Sequence, residues 1–284
     1  MSEITIIGRT DSRYPTLLAE IAQPPETLYV RGSLEALNAP CLAVVGTRTP
    51  SAYGKQVAPA LVAALARAGI TIVSGLAIGI DTLAHEAALE VGGRTVAVLG
   101  SGVDETSLYP PQNRMLARRI VAAGGGVVSE FPDGTEPKPF HFPQRNRIIA
   151  GLSRGVLVIE AREKSGALIT ANFSLEENRD VFAVPGPITV PTSAGPNRLI
   201  AAGAQAILSA DDILDAWHLA ELPLPTHMNR PDAPLLAHFP ATPIHVDEIV
   251  RSSGLDVAEV NVELAKLELA GYIRNLGGGV YAKT

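Results

Sequence analysis

The chain has one cysteine, Cys41, in 284 residues. No disulfide can form within it, and a lone thiol leading into an apolar strand reads as buried and inert. No apolar run is long enough to span a bilayer, and the N-terminal MSEITIIGRTDSR lacks a basic stretch followed by a long apolar core. Both absences point to a cytoplasmic protein without a membrane segment. Aromatic residues are scarce, at 5%. Carboxylates are missing from three long stretches, although the formal charge is −6. Residues 36–80 carry Arg48, Lys55 and Arg67, residues 106–129 carry Arg114, Arg118 and Arg119, and residues 138–159 carry Lys138, Arg145, Arg147 and Arg154. Acids gather elsewhere, at Asp211-Asp212 and from Glu259 to Glu268. The net sign argues weakly against nucleic acid, but this segregation allows a basic patch on an acidic body.

With 46% hydrophobic residues and a mean hydropathy of +0.20, the chain can build one large domain and a small one. Short apolar runs predict strands over 42–45, 71–73, 95–99, 126–128, 156–159, 181–184 and 206–208. Between them, helical periodicity predicts helices over 55–68, 80–91, 112–123 and 167–178. This alternation implies an α/β, Rossmann-like, mostly parallel sheet with helices on both faces. Ligands in such folds sit at the carboxyl ends of the strands. Small and polar residues fall there: Gly46-Thr47-Arg48, Ser74-Gly75, Gly100-Ser101-Gly102, Ser129-Glu130, Glu160 with Ser165-Gly166, and Pro185-Gly186.

The expected domain order is a lead-in packing on the core (1–39), the Rossmann-like domain (40–218), a proline-rich linker (219–233) and a winged-helix domain (234–284). The last is read from helices over 235–239, 246–252 and 257–270, followed by a hairpin turned by Gly277-Gly278-Gly279. Its third helix carries Glu259, Glu263 and Glu268 with only Lys266. Protein contact or packing is therefore favoured over duplex DNA.

Residues 142–175, FPQRNRIIAGLSRGVLVIEAREKSGALITANFSL, say most about function. Gln144, Arg145, Asn146 and Arg147 lead into a helical IIAGL, and after an apolar strand Ser165-Gly166 opens another helix. Guanidinium and amide groups near a helix start hold phosphate oxygens. No nucleophile–base pair or metal cluster stands beside them, so the site grips an anion rather than cleaving one. At Gly46-Thr47-Arg48 the glycine permits close backbone approach and the arginine can fork onto phosphate. With Ser51 and Lys55 behind it, this stretch looks like a P-loop, but the glycine spacing is too long and Gln56 stands where Ser or Thr would hold magnesium. Ser74-Gly75 opens SGLAIGID, where Asp81 and His85 share a helix face. A structural hydrogen bond is the favoured reading of that pair. Glu130 would repel phosphate and is kept off the backbone path. Phe140 and Phe142 beside Lys138 and the arginines suit base stacking with phosphate contact.

FPxRNRIIAGLS followed by SGALIT closely resembles the DNA-processing protein A family of bacterial single-stranded-DNA-binding proteins. SGLAIGID, Gly100 to Asn113, Ser129-Glu130-Phe131-Pro132 and Gly195 to Ala204 extend the resemblance over residues 14–218. Thr47 replaces the family's serine, and one extra residue separates Asp104 from Tyr109. The resemblance implies protection of incoming single strands and loading of the RecA recombinase by a homodimer, in natural transformation or recombination. No catalytic residue, cofactor or metal is expected. The predicted rim comprises Arg48, Lys55, Lys138, Phe142, Arg145 and Arg147. Gly46, Thr47, Ser51, Ser74, Gly75, Phe140, Asn146, Ser165 and Gly166 complete the candidate DNA-binding set.

The alternative is a nucleotide-binding phosphoribohydrolase-like enzyme on a related Rossmann fold. Such enzymes carry PGGxGTxxE, whereas Ser165 to Thr170 lacks the second glycine pair and Glu176 falls too late. A winged-helix transcription regulator with a ligand-sensing body is disfavoured by the acidic third helix.

Overall fold

The computed structural model describes residues 4–219, 234–240, 242–269 and 272–283. The chain divides into two compact units, Met1–Leu224 and Pro225–Thr284. The first is built on a nine-stranded sheet in the order β1-β2-β6-β5-β4-β3-β7-β8-β9. Its strands are β1 (Ile4–Gly8), β2 (Thr27–Gly32), β3 (Cys41–Val45), β4 (Thr71–Ser74), β5 (Thr95–Leu99), β6 (Gly126–Ser129), β7 (Gly155–Val158), β8 (Asp180–Ala183) and β9 (Gln205–Ala206). Strands β3 to β9 pair in parallel, and β1 and β2 add an antiparallel edge on β6. The helices are α1 (Thr16–Ala19), α2 (Ala52–Arg67), α3 (Ile80–Glu90), α4 (Arg114–Ala122), α5 (His141–Gly151), α6 (Gly166–Glu176), α7 (Ala194–Ala201) and α8 (Asp211–Ala216).

The central strands are apolar at every position because both faces are covered. In β3, Cys41, Ala43 and Val45 pack into one core with Ile148 and Ile149 of α5 and Ala167 and Ala171 of α6. Leu42 and Val44 face the opposite core, with Val62 and Leu65 of α2 and Ala84 and Ala88 of α3. From β3 the chain winds outward through β4, β5 and β6, then returns to start β7 on the other side of β3. The strand order therefore reverses between β3 and β7, and a crevice opens beyond their carboxyl ends.

Several details differ from the sequence reading. Residues 1–39, expected as a lead-in, supply two strands of the sheet, because a half-exposed edge pair lacks the apolar runs of the centre. Helix α5 starts at His141, so Arg145, Asn146 and Arg147 lie within it rather than before it. Pro143 fits because first-turn amides have no intrahelical partner. The expected linker, 219–233, lies outside the described residues except for Leu219.

The second unit has a short 3-10 helix (Pro234–His238), β10 (Ile244–His245), α9 (Val246–Ser253), α10 (Val257–Leu269) and the hairpin β11 (Ile273–Gly277) and β12 (Val280–Lys283). Its sheet runs β10-β12-β11, and Phe239, Ile249, Val260, Leu264 and Ile273 form its core. Gly254 ends α9 with φ +71°, where a side chain would be strained. This is the winged-helix arrangement expected from the sequence.

In the large unit one carboxylate ties two loops together. Asp104, after β5, accepts hydrogen bonds from the amides of Thr106 (3.1 Å) and Ser107 (3.0 Å) and from Gly134 after β6 (2.7 Å). Burial opposes ionisation, but these donors and the Thr106 hydroxyl hold its carboxyl well below the usual range. Stability from such a group is present above the unfolded carboxyl's pKa and lost as pH falls through the folded one. Asp104→Asn should lower unfolding free energy by about 1–3 kcal/mol at neutral pH. In urea titrations the difference from wild type should shrink as pH drops below about 4.

Candidate nucleic-acid interface

A cleft of about 600 Å³ lies where the strand order reverses. From the end of β3 come Gly46, Thr47 and Arg48, and from the turn after β7 come Arg162, Lys164, Ser165 and Gly166. Helix α5 contributes Phe142, Arg145 and Asn146, and Tyr109 approaches from the loop after β5. Tyr109 and Phe142 form a tilted ring pair with centroids 5.7 Å apart. Arg48, Arg162, Lys164 and Tyr109 are exposed.

Glu160, just beyond β7, holds the turns around this cleft. It is 1% exposed, and its carboxylate accepts the Ser51 amide (2.9 Å), the Ser51 hydroxyl (2.5 Å) and the Thr192 hydroxyl (3.0 Å). Its carbonyl accepts the Thr47 amide at 2.7 Å. Gly54 lies so close that any Cβ there would strike the carboxylate. Ser51 also caps α2, accepting the Gly54 amide at 3.2 Å.

Arg145 is the second organising group. It is 5% exposed and donates to the carbonyls of Gly75 (2.8 Å) and Val98. Burial pulls its pKa down to about 10, against the opposing charge of Asp81, with Arg48 adding to the depression. Burial in turn pushes Asp81 upward, opposed by Arg145 and by the amides of Ala77 and Gly75. The guanidinium lies flat against Gly75, where a Cβ would collide with it. Asp81 and His85 do not act on each other: His85 Nδ1 bonds the Thr95 hydroxyl at 2.7 Å, and burial lowers the ring to about 3. No group of three His, Cys, Asp or Glu side chains among the described residues could hold a metal ion.

Of the residues singled out from sequence, the cleft gathers Gly46, Thr47, Arg48, Phe142, Arg145, Asn146, Ser165 and Gly166. Gly75 lines a smaller adjoining pocket of about 120 Å³ with Arg48, Tyr109 and Phe142. The others stand apart. Ser74 is fully buried with its hydroxyl on the Val44 carbonyl at 2.7 Å, and Ser51 is engaged by Glu160. Lys55 is exposed on the first turn of α2, and Lys138 and Phe140 are exposed ahead of α5, none of them lining the cleft. Arg147 forms a two-pronged ion pair with Glu130 at 2.7 and 2.8 Å. The expected rim is thus narrower than predicted, because Arg147 is neutralised and Arg145 is a buried strut.

Tyr109, Arg162 and Lys164 are cleft residues that the sequence reading left out. Glu163 masks the two cations in sequence, yet it turns to pair with Arg198 at 2.9 Å. Ser165 caps α6 by accepting the Ala167 amide at 3.3 Å. This presents the positive end of an 11-residue helix to the cleft. Glu160→Ala would strand three donors, the amide and hydroxyl of half-buried Ser51 and the hydroxyl of buried Thr192. It should cost at least about 3 kcal/mol in chemical denaturation, whereas Lys55→Ala should fall within about 0.5 kcal/mol.

Comparison with known proteins is consistent along the chain. The profile of the DNA recombination-mediator protein A family matches residues 5–218, and that of the DprA winged helix domain matches residues 220–279. Protein Smf of Escherichia coli (strain K12) is 42% identical over 284 aligned residues, covering 94% of this chain and 74% of the relative. DNA processing protein DprA of Bacillus subtilis is 45% identical over 213 residues, 75% of this chain and 71% of the relative. The X-ray structure of DNA processing protein A from Streptococcus pneumoniae superposes with a TM-score of 0.69 at 43% identity, covering 75% of this chain and 74% of that one. The structure of DNA processing protein A from Helicobacter pylori, described for its single-stranded DNA binding mode, gives 0.68 at 29% identity, covering 76% and 96%.

Proposed function

The chain belongs to the DNA recombination-mediator protein A family, and we propose that it binds single-stranded DNA with little sequence specificity through the cleft between the ends of β3 and β7. The observation that carries this reading is one concavity with three exposed cations, Arg48, Arg162 and Lys164, beside the Tyr109–Phe142 ring pair. Phosphates meet the cations and the head of α6, and bases stack on the rings. Every base has a π-face and every nucleotide a phosphate, so such a site grips any sequence. The family is one of recombination mediators rather than of enzymes. The neighbour from Helicobacter pylori is described as binding single-stranded DNA.

The family's role supports the finer reading. The protein protects incoming single strands and delivers them to the RecA recombinase, in the cytoplasm, during transformation or recombination. It works as a homodimer. The open sheet edge at β9, followed by Leu208 at 81% exposure, is a surface that a second copy would cover. The winged-helix domain contacts protein rather than duplex DNA, in keeping with its acidic α10.

Fluorescence anisotropy with labelled oligo-dT across a salt series tests the cleft. Arg48→Ala should weaken binding and flatten the slope of log K against log salt by about 0.7, the value for one lost phosphate contact on a single strand. Phe142→Ala should cost about 1–3 kcal/mol with the slope unchanged. A wild-type protein that ignores oligo-dT, or an Arg48→Ala variant that binds as well as wild type, overturns the assignment. A matched duplex should bind much more weakly than oligo-dT. Sedimentation velocity and RecA filament nucleation on coated strands test the dimer and the delivery step.

A further inference from the structure

The cation-bearing, acid-free segment from Thr106 to Ser129 is not used by the cleft beyond Tyr109. It builds a second concavity. A groove of about 450 Å³ runs under α4, floored by Val103, Leu108, Ala117, Val121 and Val127. Its edges carry Arg31, Arg114 and Arg118 against a single carboxylate, Glu105. Glu105 is held by Arg118 in a fork at 2.6 and 2.8 Å, so its charge is offset locally. Arg114 donates to the carbonyls of Thr106 (3.1 Å) and Leu108 (3.4 Å), which fixes the guanidinium at the groove's edge.

The groove and the cleft share one stretch of chain. Leu108 lines the groove and its neighbour Tyr109 lines the cleft, about 4 Å apart along the backbone. Tyr109, Pro110 and Gln112 line the small pocket adjoining the cleft, and Arg114 returns to the groove. A ligand that fills the cleft and continues past Tyr109 meets an apolar floor with guanidinium groups around it. An apolar floor suits an unstacked base, and a cationic edge suits its phosphates.

We propose that this groove extends the single-strand path beyond the cleft, taking an unstacked nucleotide of the same DNA strand between the apolar floor and Arg114 and Arg118. The inference rests on the single-strand reading of the cleft and adds to it a second site that only longer strands reach. Its volume falls within the range of small-ligand sites. A purely apolar partner would use the floor alone, whereas a nucleotide uses the floor and the guanidinium edge.

The test compares full-length wild type with Ala122→Glu and with Arg118→Ala, each made singly. Ala122 lines the groove and is exposed, so its substitution puts a carboxylate there without opening the core. Arg119→Ala is the control, since Arg119 is exposed on the same helix outside the groove. Anisotropy is read with oligo-dT of about 6 nucleotides, which fills only the cleft, and of about 20 nucleotides, which reaches past it. Both groove variants should bind the long strand about tenfold more weakly, with the short strand and the melting temperature unchanged. Arg119→Ala should shift long-strand binding by less than about threefold. Undiminished long-strand binding, equal loss at both lengths, or equal loss in the control each overturns the groove's role. Wild type that binds neither length sinks the cleft reading itself, before any variant is compared, and the groove falls with it.

Discussion

The carboxylate of Glu160 is the contact on which the rim depends. It sits just past β7, beside the point where the strand order reverses, and gathers donors from the turn after β3 and from the turn ahead of α7. Reversal of strand order opens a crevice in any doubly wound sheet, but it does not fix the loops that line it. Here three donors converge on one buried acid, and the backbone carbonyl of the same residue receives Thr47. The cost of burying the charge is offset by these hydrogen bonds, which become strong in a dry site. Gly54 is required because Glu160 occupies the space of a side chain. The rim's geometry is thus set by a residue that takes no part in lining the cleft.

A net charge of −6 and a cleft lined by exposed cations coexist because acids near the cleft are paired off. Glu130 is matched by Arg147, Glu163 by Arg198, and Asp81 is buried beside Arg145. Each pairing withdraws a carboxylate from the cleft, and most also withdraw a cation from service. What survives is a small set of exposed cations on the two turns at the switch point. Counter-ion screening acts over about 10 Å at ordinary salt, so these near charges outweigh any acid lying well beyond that distance.

Much of the architecture was legible because central parallel strands must be apolar on both faces, and turn residues punctuate them. The strand ends at Gly46, Ser74 and Glu160 were visible in that way. The edge strands β1 and β2 were not, since a half-covered antiparallel pair leaves no continuous apolar run. Within the cleft, glycine, serine and arginine at strand ends were readable, whereas the fate of each cation was not. Arg145 and Arg147 are two apart on one helix, so they point in different directions: one enters the core and the other meets Glu130. Residue type says that a guanidinium can bind phosphate, and only the packing says whether it is already bound. Lys164 was hidden for the complementary reason, beside an acid whose partner, Arg198, is distant in sequence.

The winged-helix unit follows different electrostatics. On α10, Glu259 and Glu268 are exposed alongside Val257 and Val262, at 59% and 55% exposure. The cation on that helix, Lys266, is held by Glu263 at 2.6 Å. Duplex DNA carries a negative charge every about 1.7 Å of its axis, so an acidic helix entering the groove would release no counter-ions and would meet repulsion at every phosphate. A protein surface imposes no such penalty, and exposed valines ringed by carboxylates are suited to one with basic and apolar side chains. On the proposed function, strand binding and partner contact would fall to surfaces of opposite sign within one chain.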